Sequence, residues 1–113
     1  MDYIEFFKND RFATEAGITL SEVRPGYAKA KLKINEHHLN AGNVVQGGAL
    51  FTLADLTIAA AANANGRLAF SIQSDIRFLE SATIGETLIA EAQEILLHKT
   101  ICHYTVSYTH LTL

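Results

Sequence analysis

The sequence predicts an α+β fold, one antiparallel sheet with a helix laid on one of its faces. Two observations carry this expectation. From Gly47 to Asn63 there is no proline, alanine and leucine recur, and apolar side chains fall on nearly every face, which is too long a run for a strand and suits a buried helix. On either side the chain reads as strands, most clearly at Ala28-Lys29-Ala30-Lys31-Leu32-Lys33-Ile34. There apolar residues alternate with lysines, so one face meets a core and the other meets water.

The elements follow in order. Asp2 to Phe12 spaces Tyr3, Ile4, Phe7 and Phe12 at roughly helical intervals with Lys8, Asp10 and Arg11 between them, predicting a short amphipathic helix that Gly17 ends. Ile18 to Val23 and Tyr27 to Ile34 flank Arg24-Pro25-Gly26, whose Pro and Gly predict a hairpin turn. Asn35 to Asn43 is polar and reads as a loop. Asn65-Gly66 closes the long helix, with Asn63 as its cap. Three extended segments are expected after it: Ala69 to Leu79, Glu86 to Leu97 and Thr100 to Tyr108, the last two joined through Leu97-His98-Lys99. In the first, Phe70, Ile72, Ile76 and Phe78 share one face, and Ser71, Gln73, Asp75 and Arg77 share a polar one. A twisted sheet wrapped around one central helix, the hotdog arrangement, is the simplest way to cover a helix that is apolar all round.

At 113 residues and 49% apolar composition the chain is expected to form a single domain over positions 1–113 with one continuous core. The nine basic and twelve acidic residues give a net charge of -3, and the basic ones are scattered, which argues against nucleic acid as a partner. Cys102 is the only cysteine, so no disulfide forms within the chain. The N-terminus lacks the basic-then-apolar pattern of a signal peptide, making the cytoplasm the expected compartment. The apolar run from Ala49 to Ala62 is broken by Thr52, Asp55 and Thr57 and falls short of the ~20 residues that span a bilayer, so no membrane segment is expected. His37, His38, His98, His103 and His110 come without cysteine or carboxylate at ligand spacing, and no metal site is expected from them.

Asp55 is the one ionisable group in the long helix, where its surroundings predict burial. An unpaired carboxylate there would cost several kcal/mol or stay protonated, so it is either tied to neighbouring polar groups or used as a base or nucleophile. The helix start bears on that choice. Gln46-Gly47-Gly48-Ala49 leads from loop into helix with no large side chain at two successive positions, leaving backbone N–H groups open to an incoming oxygen. Glycines there also suit close packing or a turn. Gly47 and Asp55 are separated by ~12 Å of helical rise, whereas a productive contact needs roughly 3 Å or one water. If both serve one reaction, they come from two copies of the chain, as in a two-fold dimer.

His38-Leu39-Asn40-Ala41-Gly42 followed by Val45-Gln46-Gly47-Gly48-Ala49-Leu50-Phe51-Thr52-Leu53-Ala54-Asp55 resembles the signature of the PaaI-type hotdog thioesterases. The similarity extends to Asn9-Asp10-Arg11-Phe12, to Gly26-Tyr27-Ala28 and to Gly85-Glu86-Thr87-Leu88-Ile89-Ala90-Glu91-Ala92. The resemblance implies hydrolysis of an acyl-CoA thioester in a site shared between subunits of a homodimer or a dimer of dimers. It gives catalytic roles to Asp55, which activates water or attacks directly, to the Gly47 N–H, which holds the thioester oxygen, and to Asn40, which positions them. Gln46, Gly48 and His38 are expected around the substrate. A thioester needs carbonyl polarisation and a base-assisted water and releases a good leaving group, so no cofactor beyond the coenzyme A of the substrate is expected.

The chain departs from the family twice. Gln46 stands where the family often has His, and Gln forms hydrogen bonds without carrying a proton charge near neutral pH. A step that needs that titration is in question, which keeps open a hotdog protein that binds acyl-CoA or a small metabolite without turnover, and which counts against a hydratase or dehydratase. Family members also return with one more strand after the segment at Thr100 to Tyr108. Thr109-His110-Leu111-Thr112-Leu113 is too short to form it, so either the sheet lacks a strand or this is not the natural C-terminus.

Overall fold

In a computed structural model that describes residues 1–111, the alternation of Ala28, Ala30 and Leu32 with lysines forms the strand at the middle of the fold. β1 (Thr19–Arg24), β2 (Tyr27–Lys33), β3 (Thr87–Leu97) and β4 (Cys102–Leu111) pair antiparallel in the order β1-β2-β3-β4. Pro25-Gly26 closes the first hairpin, and Gly26 takes φ +77°, as the third residue of a type II turn requires. On β2 and β3 the inward residues Ala28, Ala30, Leu32, Leu88, Ala90 and Ala92 are fully buried.

The long helix α3 runs over Gly47–Asn63 and lies across β2 and β3. Leu50, Leu53 and Leu56 pack with Leu32, Ile34 and Leu88 at its first half. At its second half Ala60 and Ala61 meet Ala28 and Ala92. These small side chains let helix and sheet approach closely enough for the Gly26 N–H to donate to the Ala61 carbonyl at 3.2 Å, satisfying one of the carbonyls left over at the helix end. This is the predicted α+β hotdog arrangement of sheet and central helix.

Three expectations are corrected. The N-terminal helix is two short ones, α1 (Tyr3–Phe6) and α2 (Arg11–Glu15), because Asp10 leaves helical geometry and its carboxylate accepts from the Ala13 N–H at 3.1 Å as an N-cap. The segment Ala69 to Leu79 is not a strand: it bends at Ile72 and has no ladder partner among the described residues. Alternating apolar residues announce a segment that suits a sheet but do not supply the neighbour that makes it a strand. Phe70, Ile72 and Phe78 are consequently exposed, at 81%, 84% and 55%. The segment is moored by side chains instead. Asn63, expected as a helix cap, uses its amide on the Ala69 backbone, donating to the carbonyl at 3.1 Å and accepting from the N–H at 3.0 Å. Finally, the described residues do not cover α3 all round. The sheet shields one side, and Phe51 and Asp55 lie on the open one.

Between the 67–80 segment, α3 and β4 runs a groove of about 1520 Å³. Because it is open, the inward residues of β4, Tyr104, Val106 and Tyr108, are only half-buried. The Tyr108 hydroxyl donates to the Leu50 carbonyl at 2.7 Å and fastens β4 to α3. Burial pushes this phenol up to about 12, and burial with the nearby Glu94 also raises Tyr104. Both are held neutral by the fold. Their contribution is therefore complete below pH ~10, where unfolded tyrosine is still protonated, and is lost as pH rises from there through the folded value. Urea unfolding is expected to show stability falling between about pH 10 and 12, and falling less steeply in Tyr108→Phe. An equal slope in the variant would remove Tyr108 from that account. Positions 112 and 113, part of the C-terminal stretch judged too short for another strand, lie outside the described residues.

Candidate active site

The loop before α3 is built to hold the helix start in one place. The Gln46 N–H donates to the His38 carbonyl at 2.7 Å, the Val45 N–H to the Ala82 carbonyl at 2.8 Å, and Leu39 bridges Val45. Asn40 is exposed, and its side-chain oxygen accepts from the Gly42 N–H at 2.8 Å and the Val44 N–H at 3.3 Å, closing the loop on itself. That leaves its amide N–H groups as the part of Asn40 open to a ligand. His38 is buried, with Nδ1 accepting from the Asn35 N–H at 3.0 Å and Nε2 facing the Ala16 carbonyl at 2.5 Å. Because Nδ1 accepts, Nε2 is the donor, and both ring nitrogens are used within the chain.

Among the described residues no side chain caps α3; the Ala49 N–H donates to the Gln46 carbonyl at 2.9 Å, and the Gly47 and Gly48 N–H groups before it remain open. Both glycines sit under close neighbours. A Cβ on Gly47 would stand 3.0 Å from the Phe78 ring, and one on Gly48 would collide with the Gln46 amide oxygen at 2.5 Å. Both neighbours are ends of exposed side chains that can turn aside, so packing alone does not require the glycine pair, and Phe78 and Gln46 stand as the walls of the helix tip. Phe78 was expected as part of a strand face, and nothing in its spacing pointed to the helix start.

Asp55 departs from expectation. It is exposed rather than buried in the chain taken alone, because it lies on the side of α3 that the sheet does not reach. The Ser71 hydroxyl donates to its Oδ1 over a long 3.4 Å. By its spacing Ser71 is only one of several polar residues on an expected strand face, and its approach to Asp55 depends on how the 69–79 segment lies along the helix. Asp55 and Phe51 form a ridge between two concavities. One is the large groove, and the other is a depression of about 280 Å³ shared with Asp10, Phe12 and Thr52.

The described residues therefore hold an open helix N-terminus and a carboxylate with a hydroxyl partner, both on the uncovered side of one helix. They do not bring Asp55 to Gly47, which is fixed two helical turns away along α3. The histidines do not converge: His37 is exposed beside Glu36, His38 is buried, and His110 lies 3.8 Å from both Glu80 and Glu86. No group of three or more His, Cys, Asp or Glu residues is placed to hold a metal among the described residues. No helix among them is long and apolar enough to cross a membrane.

Residues 42–110 match the family model described as the thioesterase superfamily, which covers more than half of the chain and the whole of α3. The chain belongs to the thioesterase superfamily. Within the superfamily it is PaaI-like. It is 34% identical over 87 residues to the acyl-coenzyme A thioesterase PaaI of Escherichia coli, an alignment covering 77% of this chain and 62% of that protein. An Archaeoglobus fulgidus protein classed provisionally as an esterase is 42% identical over 94 residues, covering 83% of this chain and 60% of the relative. The chain thus spans about three fifths of the length of these two relatives. The solved structure of the E. coli PaaI protein from the phenylacetic acid degradation operon superposes with a TM-score of 0.90 at 30% identity, covering 94% of this chain and 77% of that one. For this superfamily member the hotdog fold thus rests on a solved structure as well as on its own sheet and helix.

Proposed function

We propose that the protein hydrolyses an acyl-CoA thioester to the free acid and coenzyme A, in a site completed by a second copy of the chain. The observation that carries this is the position of Asp55: an exposed carboxylate on the uncovered side of α3, among the exposed apolar residues Phe51, Phe70 and Ile72. Side chains of that size left bare beside a charged group mark a surface that a partner covers. Under a second copy, Asp55 becomes the shielded base that its helix suggests, and the ~12 Å separating it from its own Gly47 is bridged by the partner's helix tip.

In this scheme the Gly47 N–H of one copy polarises the thioester carbonyl, where partial positive charge at a helix N-terminus stabilises the oxygen as it gains negative charge. Asp55 of the other copy takes a proton from water as it attacks, or attacks itself, with Ser71 orienting the carboxylate. The C–S bond breaks and the thiolate leaves; where water attacks, the acid is released directly, and where Asp55 attacks, the mixed anhydride it forms is opened by a water, which releases the acid and restores the carboxylate. Asn40 offers its amide N–H groups to the carbonyl or the water, and Gln46 and Gly48 border the substrate. His38 supports the loop through its own hydrogen bonds and has no ring nitrogen to offer a ligand. The names of the relatives, acyl-coenzyme A thioesterases among them, support the substrate class.

The test is release of free thiol from short, long and aromatic acyl-CoA esters, with sedimentation to measure assembly. Turnover by an oligomer is expected. Saturable binding of the esters with no thiol release would instead favour the non-catalytic carrier that Gln46 in place of His allows.

A further inference from the structure

His38 is the one buried titratable side chain between the start of the signature and Asp55, and the proposed reaction uses neither of its ring nitrogens. Its surroundings give it another task. Residues 38–46 form a closed unit, in which the Gln46 N–H donates to the His38 carbonyl at 2.7 Å, the Asn40 N–H donates to the Val44 carbonyl at 2.8 Å, and Leu39 pairs with Val45. The Asn40 side-chain oxygen ties Gly42 and Val44 inside it. A loop closed by its own bonds keeps its shape, but its direction is set by the bonds that leave it.

Apart from the turns in which the unit begins and ends, polar bonds among the described residues tie it to the rest of the fold on two sides. On one side the Val45 N–H donates to the Ala82 carbonyl at 2.8 Å and the Thr83 hydroxyl to the Asn43 carbonyl at 3.3 Å. On the other side stands the His38 ring. Its Nε2 donates to the carbonyl of Ala16, the residue that ends α2, at 2.5 Å, a bond between positions 22 residues apart. Its Nδ1 accepts from the Asn35 N–H at 3.0 Å. A ring bonded at both edges can neither turn nor slide, and it satisfies one of the carbonyls that α2 leaves over. The unit carries Asn40 near one end and leads at the other into Gln46 and the open Gly47 N–H. A tilt of the unit therefore moves the Asn40 amide and the helix tip together.

We propose that His38 is a positioning residue for hydrolysis: its neutral ring, with the proton on Nε2, fixes the direction of the 38–46 unit and so sets where the Asn40 amide and the Gly47 N–H meet the thioester. This rests on the thioesterase reading for what the positioned groups act on. The role differs from contact with substrate, because the ring spends both nitrogens on backbone groups of its own chain.

Three substitutions separate the two ring bonds. Asn places an amide oxygen near the position of Nδ1, Gln an amide N–H near that of Nε2, and Leu, of similar size, supplies neither. All are assayed below the melting temperature of the least stable, so that loss of folded protein does not enter. His38→Leu is expected to lower kcat about ten-fold or more, with KM changed by less than about two-fold, and His38→Asn and His38→Gln recover part of the loss. Asn40→Asp keeps the oxygen that closes the loop and removes the amide N–H groups. It is expected to cost less in His38→Leu than in the parent, since the amide it removes is already out of place there. Hydrogen exchange on the same proteins supplies a readout without turnover: the Asn40 and Gln46 amides lose protection in His38→Leu and regain part of it in the other two.

Parental kcat in His38→Leu, or an Asn40→Asp loss of equal size in both backgrounds, overturns the role and leaves hydrolysis through Asp55 and Gly47 standing. If His38→Leu does not fold, the Asn and Gln variants decide the matter, and parental kcat in both overturns it. Absence of thiol release from the intact protein sinks the hydrolytic reading instead. Exchange then decides whether the ring fixes the unit, and full protection of Asn40 and Gln46 without it overturns that.

Discussion

Replacing Asp55 with Asn is expected to lower kcat for thioester hydrolysis by roughly 10²- to 10⁴-fold, the range a positioned general base supplies, with little change in KM. Asn keeps the shape of the side chain and can still accept from the Ser71 hydroxyl, so only the proton-accepting charge is removed. Asp55 is exposed and receives one long hydrogen bond, so the folded single chain gains little stability from it. In the assembled protein the second copy shields this charge, so its removal is expected to leave the melting temperature of the variant at or above that of the parent. Thiol release and thermal unfolding measured on one preparation separate the two effects. Full activity in the variant would take Asp55 out of the chemistry and with it the mechanism proposed above.

The second large effect tests where the two halves of the site come from. Gly47 is the first residue of α3, and the preceding Gln46 has φ -72° and ψ 137°, a conformation that a following proline accepts. Gly47→Pro therefore removes the N–H proposed to hold the thioester oxygen at a position where proline suits a helix. A Cβ at this position meets the Phe78 ring at 3.0 Å, and Phe78 is half-exposed and free to give way. Loss of that donor is expected to reduce kcat by about 10²- to 10³-fold. Mixing this variant with Asp55→Asn after unfolding and refolding them together should then restore activity. Half of the resulting two-fold dimers are hybrids, and each hybrid has one site with both groups intact, so about a quarter of parental turnover is expected. A mixture as inactive as its components would show that Gly47 and Asp55 do not meet across an interface.

How much of this was legible beforehand depended on whether the deciding interaction was local. The β2 alternation, the Pro25-Gly26 turn and the long α3 run each carry their instruction in consecutive residues, and all three are where the sequence put them. The cap at Asp10 is also a local signal, but helical spacing of the neighbouring apolar residues outweighed it. The 69–79 segment went wrong for a different reason. Its alternation is clear, yet a strand exists through hydrogen bonds to a neighbour, and none is present among the described residues.

The site divides along the same line. The signature from His38 to Asp55 marked the region, the open helix start and the one acid in α3, because those are properties of residue type and spacing along a single helix. Exposure, on the other hand, is set by what the rest of the chain lays over that helix. An apolar face that β2 and β3 cover and one left open among the described residues look alike in a list of side chains, and so the helix around Asp55 reads as buried. The Ser71 contact and the Phe78 ring over Gly47 both join residues distant in sequence. Periodicity is blind to such pairs because it records the direction of a side chain relative to its own backbone, whereas these contacts follow from how separate pieces of backbone lie beside one another.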